Sequence, residues 1–164
     1  MLKVNKNFLD KNIFNEMKKI IFSDNFSWYF QESVTDNITK KRDGFFFSHR
    51  LYDNDEINSN YFSQIVNPLK EKIKYQSLRR CTINLFTQTT KSISCNFHTD
   101  FNDDRLTTGI FYFNKTDGIT EFKNNKKIKS EPNTFVEFSS NLKHRGFTPT
   151  NKIRRVVLNI NYYK

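Results

Sequence analysis

Three residues in the second half of the chain have the types and spacing to hold a transition metal. His98 and Asp100 sit two apart in Phe97-His98-Thr99-Asp100, and His144 follows downstream. On a β-strand, residues two apart present their side chains on the same face. Two imidazoles and one carboxylate can occupy one face of an octahedron and leave the opposite face open, the ligand set of non-haem iron(II) oxygen chemistry. A His-x-Asp pair alone recurs by chance. Its order before a second histidine and then a cation gives it weight.

That cation is Arg154 or Arg155. Both open an apolar alternating run that reads as a strand. Arg155, Val157, Asn159 and Asn161 share one face, and Arg154, Val156, Leu158, Ile160 and Tyr162 share the other. Arg155 is the preferred inward residue because its face carries further polar groups. Arg154 stays open as the alternative. A guanidinium facing a barrel interior is suited to bind both oxygens of a carboxylate.

Such residues need a scaffold that brings distant segments to one point. Asp10 reads as a helix cap, and Ile13, Phe14, Met17, Ile20 and Ile21 recur at helical spacing behind it. Residues 32–43 are polar and charged and read as a mobile loop. Phe45 to His49 is apolar, and Tyr52 to Asn60 reads as a second polar loop. The polar segment from Asp36 to Asp43 and the loop from Tyr52 to Asn60 are candidate lids. A second helix is predicted with Tyr61, Phe62, Ile65, Val66, Leu69 and Ile73 on its buried side, kinked or divided at Pro68. From Arg80 the period changes to two. Strands are predicted around Thr82–Phe86, Ile93–Phe97, Leu106–Phe113, Phe122, Thr134–Phe138 and Val156–Tyr162. Turn signals separate them, among them Lys115–Gly118, Glu131-Pro132-Asn133 and Pro149–Lys152. Short strands at regular spacing predict a barrel or sandwich.

Composition bounds the reading. The 164 residues suit one domain with a real core. There is no apolar run long enough to span a membrane, and the N-terminus lacks signal-peptide features, so a cytoplasmic location without membrane attachment is expected. The two cysteines, Cys81 and Cys95, fit a reducing compartment, and their spacing excludes a CxxC zinc site. Alanine is absent, and Asn, Lys, Ile and Phe are abundant, with 18 Phe supplying an aromatic core. The formal charge of +10 is spread along the chain apart from Lys40-Lys41-Arg42 and Lys126-Lys127. A solvated basic surface is the simpler reading than a nucleic-acid face. His49 has no partner at metal spacing. Cys95 reads as a small buried hydrophobe, and Glu121 and Glu137 as solvated charges.

Five segments, taken in order, resemble the iron(II)/2-oxoglutarate dioxygenase superfamily, in particular its prolyl-4-hydroxylase-like branch. They are Arg80–Leu85, Phe97–Asp100, Arg105–Asn114 (an R-x-x-T…Y-x-N strand), Gly118–Phe122 (a G-G-x-T-x-F turn short of one glycine), and Pro132 through Ser140 to His144. The set covers about half the chain. The resemblance implies an α+β, mainly β fold: a double-stranded β-helix, or jelly roll, with N-terminal helices packed on one sheet. It implies one domain over 1–164, with 1–79 as a helical and loop part and 80–164 as the β-helix core. It implies His98, Asp100 and His144 as iron(II) ligands, 2-oxoglutarate as co-substrate with dioxygen, and Arg155 on the far carboxylate. Tyr112 matches a position where relatives place a hydroxyl on the same carboxylate. Asn84 stands where relatives carry another tyrosine. The implied activity is hydroxylation of a C–H bond, releasing succinate and CO2. The branch points to a prolyl-like residue of a polypeptide. A small metabolite, a nucleobase, and a non-catalytic basic jelly-roll binding module are the alternatives. The oligomeric state leaves no mark in the sequence.

Overall fold

The computed structural model describes residues 2–33 and 44–164. The polar segment from Asp36 to Asp43 read as a first lid, with Lys40-Lys41-Arg42, lies outside the described residues. The strands are β1 (Lys3–Lys6), β2 (Tyr29–Gln31), β3 (Phe46–Asp53), β4 (Glu56–Ile57), β5 (Ser77–Thr87), β6 (Leu106–Tyr112), β7 (Thr116–Phe122), β8 (Lys127–Ser130), β9 (Thr134–Ser139), β10 (His144–Gly146) and β11 (Arg154–Tyr163). Two helices, α1 (Lys11–Ile21) and α2 (Phe62–Ile73), lie in the first half.

The strands form two antiparallel sheets. The larger runs β1-β9-β6-β11-β5-β3-β2, with β4 paired to β3, and the smaller runs β10-β7-β8. Strand β11 lies at the centre of the large sheet, paired with β5 on one side and β6 on the other. This is the jelly-roll arrangement expected from the sequence.

Two apolar clusters sit on opposite faces of the large sheet. One joins Phe14, Met17 and Ile21 of α1 and Ile65, Val66 and Leu69 of α2 to Val156, Leu158, Ile160 and Tyr162 of β11. The other fills the barrel interior with Phe86, Ile110, Tyr112, Phe122, Val136, Phe138 and Val157. The alternation of β11 thus has two different destinations, the helix layer outside and the barrel inside. Asp10 caps α1, its Oδ1 accepting the amides of Asn12 at 2.8 Å and Ile13 at 3.4 Å. Two of the four orphan donors of the first turn are thereby satisfied.

Several expectations are corrected. Pro68 does not divide α2, which runs through it. The buried stripe on both sides of Pro68 packs against the sheet and offsets the backbone hydrogen bond that proline removes. Tyr52–Asn60 is not a loop: β3 runs to Asp53 and turns into β4 through Asn54 and Asp55, with φ of 52° and 59°. Two consecutive left-handed residues make the tight hairpin turn whose twist matches the strands, and Asn and Asp tolerate it best after glycine. Lys115–Gly118 is not a separate turn either. β7 begins at Thr116, and its register against β8 shifts between Thr116 and Ile119. The predicted strand at Ile93–Phe97 is reduced to one isolated bridge, Ser94 to Phe147, with a second, His98 to His144, just beyond it.

Candidate active site

His98 and His144 are brought together by the backbone. They face each other across an antiparallel bridge in which each amide donates to the other's carbonyl, at 3.0 and 2.9 Å. Such a directly opposed pair holds its side chains side by side. Their ring centroids are 4.7 Å apart. In each ring Nδ1 meets a carbonyl, Asn96 O at 3.0 Å for His98 and Leu142 O at 3.1 Å for His144. A carbonyl can only accept, so Nδ1 carries a proton in each ring, and wherever the ring is neutral Nε2 keeps its lone pair. Metal-binding histidines use this same outer contact to fix tautomer and ring direction.

Asp100 is delivered by the other sheet. It lies beyond the bridge rather than on a regular strand, so the same-face rule of a strand does not place it. Its carboxylate is held from β5, β6 and β11. Thr108 Oγ1 donates to Oδ2 at 2.9 Å and Asn161 Nδ2 donates to Oδ2 at 3.0 Å. With the Thr108 proton directed at Asp100, Ser140 must donate to Thr108 across their 2.8 Å contact, and Asn161 also donates to Thr108 at 2.9 Å. Arg80 reaches Asn161 Oδ1 at 3.2 Å and Asp100 Oδ1 at 3.4 Å. Oδ2 is saturated by this network, while Oδ1 has only the long Arg80 contact and is the oxygen left for a cation. One ligand atom each from His98, Asp100 and His144 lie within 4.8 Å of one another.

The electrostatics of the three groups differ. Burial pushes the Asp100 carboxyl up, but His144, Arg80, the Asn161 amide and His98 outweigh it and hold it below its ordinary value. Burial also opposes charge on both imidazoles. For His98 the Cys95 side chain, the Asn96 carbonyl and Asp100 overcome burial and raise it to about 9. For His144 burial prevails over the pull of Asp100 and lowers it. The pocket thus favours a carboxylate and one neutral imidazole, and an added cation would take the place of the remaining proton.

Arg155 lies deeper in the same barrel. It is 1 % exposed, with its guanidinium stacked against Phe86 and Tyr112. Nη2 donates to Thr120 Oγ1 at 2.9 Å, and Nε has no partner. No carboxylate pairs with it among the described residues. A buried cation left without an anion is costly. Tyr112 also donates to Thr120 Oγ1, at 2.8 Å. Both lone pairs of the Thr120 hydroxyl are thus engaged and its proton is left to donate elsewhere. Gly118 makes room for this cation: a Cβ there would lie 2.6 Å from Arg155 Cδ. Arg155, Thr120, His98 and His144 line one cavity of about 50 Å³, together with Asn84, Asn159 and Cys95. The donor set around Arg155 fits a carboxylate, and the triad, whose two histidines line the same cavity, fits a divalent cation.

The sequence-based candidates therefore separate. His98, Asp100 and His144 converge, and Arg155 and Asn84 share a cavity with both histidines. Tyr112 reaches it through Thr120. Arg154 points the other way, its guanidinium 4.5 Å from the ring centroid of Phe22 beyond α1. Reasoning from the sequence assigned no role to Arg80, Thr108, Thr120 or Asn161. Arg80, Thr108 and Thr120 lie within segments that carry the resemblance, and Asn161 lies on the same face of β11 as Arg155. Glu121 is corrected: it is buried on the small sheet, paired with Arg145 at 2.6 Å and Lys127 at 3.3 Å. Cys95 is buried, yet its sulfur accepts the Gly146 amide at 3.2 Å and faces the cavity. His49 is satisfied by Ser27 O and Ser59 Oγ, each at 2.7 Å.

No protein-family model matches the chain, and no curated protein is recognisably similar to it in sequence. Solved structures are similar in fold. A Pseudomonas putida prolyl-4-hydroxylase aligns over 99 % of this chain and 92 % of its own, with a TM-score of 0.64 and 12 % identity. A Trichoplax adhaerens prolyl hydroxylase, solved with a hypoxia-inducible-factor peptide fragment, aligns over 99 % and 83 % at TM-score 0.67 and 13 % identity. A 2OG-Fe(II) oxygenase family oxidoreductase from Burkholderia pseudomallei aligns over 98 % and 85 % at TM-score 0.68 and 11 % identity. At these identities the likeness is one of fold. No helix among the described residues is long and apolar enough to cross a membrane.

Proposed function

We propose that the chain is an iron(II)- and 2-oxoglutarate-dependent dioxygenase that hydroxylates a C–H bond. The observation that carries this reading is the pairing of two sites in one cavity. The two histidines of the triad line the cavity, and the buried Arg155, with no carboxylate partner among the described residues, lines it too. A metal site alone would fit many activities. A second site suited to a carboxylate, in the cavity that the two histidines also line, fits a dicarboxylate that also reaches the metal. The fold shared with 2OG-Fe(II) oxygenases supports it.

In this reading His98 Nε2, His144 Nε2 and Asp100 Oδ1 hold the iron. Iron(II) would supply dioxygen activation, coupled to conversion of 2-oxoglutarate to succinate and CO2, with one oxygen atom passing to substrate. Arg155 and the Thr120 hydroxyl bind the distal carboxylate of the co-substrate, and Tyr112 holds Thr120 in place for that task. The Thr108–Asn161–Ser140 network keeps Asp100 from rotating, so its free oxygen stays aimed at the metal. Phe86, Ile110 and Val157 exclude water from the inner end. A prolyl-like residue in a polypeptide is the first substrate to try, because two of the fold's neighbours are prolyl hydroxylases.

The test is anaerobic addition of iron(II) and 2-oxoglutarate to the metal-free protein. A weak visible charge-transfer band is expected, and admitting air should then release succinate. His98→Ala should lose both. No band, no succinate and a His98→Ala protein indistinguishable from wild type would refute the reading.

A further inference from the structure

Outside the small cavity the site widens into a groove of about 620 Å³, and the two share Asn84, His98 and Asn159 in their walls. The groove is where a substrate would approach the triad. Its walls are polar, and cations stand on both sides. Arg50 of β3 and Arg80 of β5 come from the large sheet. Lys143, the residue before His144, comes from the small-sheet side.

Charges count differently according to what already neutralises them. Arg80 is committed to Asp100, at 3.4 Å. Arg50 touches Asp53 at 3.3 Å, but its side chain is 60 % exposed, so that pair is weak and easily exchanged. Lys143 is exposed and forms no ion pair among the described residues. Among the described residues, Asp53 and Asp100 are the acidic side chains in the groove wall. A metal on the triad would add two positive charges, which the two charges of a bound dicarboxylate offset. Among the described residues the wall is then left with three cations, Arg50, Arg80 and Lys143, against two anions, with Arg155 behind it. A groove of one net sign between low-dielectric walls focuses its field on a ligand of the opposite sign.

We propose that the substrate of this site carries an anionic group, a carboxylate or a phosphate, bound between Arg50 and Lys143, with its reacting C–H over the triad. The proposal rests on the dioxygenase reading for the position of the reacting carbon. The two cations approach from opposite sheets, so an anion between them would tie the groove's walls together. Hydrogen-bonding side chains such as Asn84 and Asn159 on the floor suit a polar ligand better than an aliphatic one.

The test uses the full chain loaded with Co(II) and 2-oxoglutarate, followed by titration calorimetry. The probes are O-phosphoserine and N-acetylaspartate, with serine and N-acetylasparagine as their neutral counterparts. The anionic probes should bind about tenfold or more tighter than the neutral ones, and the stronger of the two identifies phosphate or carboxylate. Lys143→Gln and Arg50→Gln should each weaken the anionic probe about fivefold or more and leave the neutral ones unchanged. Lys129→Gln, on β8, should behave as wild type. Equal binding of charged and neutral probes, or variants that bind the anions like wild type, would overturn the groove proposal while the dioxygenase reading stands. Failure of the wild-type protein to take up Co(II) overturns both.

Discussion

Arg155 and Asp100 are the two residues whose surroundings are hardest to explain by folding alone. Arg155 is a cation fully withdrawn from water, with one nitrogen lacking any partner. Its burial drags its pKa down, with Tyr112 and Cys95 pulling the other way. Replacing such an uncompensated charge with an apolar side chain is often neutral or stabilising. Arg155→Met should therefore keep or raise the urea midpoint of the ligand-free protein. The same change should weaken 2-oxoglutarate binding about a hundredfold or more, a loss of about 3 kcal/mol. A large loss of stability would mean that Arg155 serves the fold instead. Asp100 calls for a different variant. Thr108→Val removes one donor to Oδ2 and leaves the side-chain shape, so the protein should fold while Co(II) affinity falls about 10- to 100-fold. Equilibrium dialysis against the metal reads this directly. Gly118→Ala would set a methyl group against Arg155 Cδ at 2.6 Å, and should weaken 2-oxoglutarate binding with Co(II) affinity unchanged.

At the scale of elements, β11 carries the site, and its register is fixed at both ends. At its start Asn114 accepts the Val156 amide at 2.9 Å and donates to Arg154 O at 2.8 Å, setting the phase that turns Arg155 inward. At its end Tyr162 donates to Glu137 Oε2 of β9 at 2.6 Å, and Lys164 reaches Oε1 at 2.7 Å. Burial pushes the Glu137 carboxyl up, but Lys164, Tyr162 and Lys3 more than reverse it and hold it below its ordinary value of 4.5. A carboxyl whose pKa is lowered on folding contributes stability above its unfolded value, and that contribution is lost as the pH falls through the folded one. Wild type should thus exceed Glu137→Gln in urea midpoint at neutral pH. The gap should close progressively below about pH 4.5. A gap independent of pH would remove the carboxylate from the explanation. On the opposite side of the sheet, Asp10→Ala should cost about 1 kcal/mol by freeing the first-turn amides of α1.

At the scale of the whole molecule, the barrel joins two sheets that each supply part of one site. The small-sheet side brings the histidines and the large sheet brings Arg155 and the clamp on Asp100. A ligand bridging them should therefore stabilise the entire fold. At ligand concentrations about a hundredfold above Kd the gain is about 2.7 kcal/mol, which for a chain of this size corresponds to a rise in Tm of about 5–10 °C. Co(II) with 2-oxoglutarate should produce it in a thermal melt. Co(II) with succinate should give less, because succinate lacks the 2-oxo group that a metal can share.

The sequence by itself determined the periodicities, and through them the two helices, the strands β5, β6, β7, β9 and β11, and the two faces of β11. It also held the ordered residues His98, Asp100, His144 and Arg155, because side-chain type and spacing are local properties. Only the tertiary structure decided how these residues meet. His98 and His144 become neighbours through a bridge spanning residues far apart in the chain, and Asp100 is aimed by side chains from three strands. The choice between Arg155 and Arg154 depended on strand phase, which Asn114 and the packing of β11 on α1 and α2 fix. Pro68 as a division of α2 and Glu121 as a solvated charge were misread for the same reason. Local preference argued one way, and burial against a distant element prevailed.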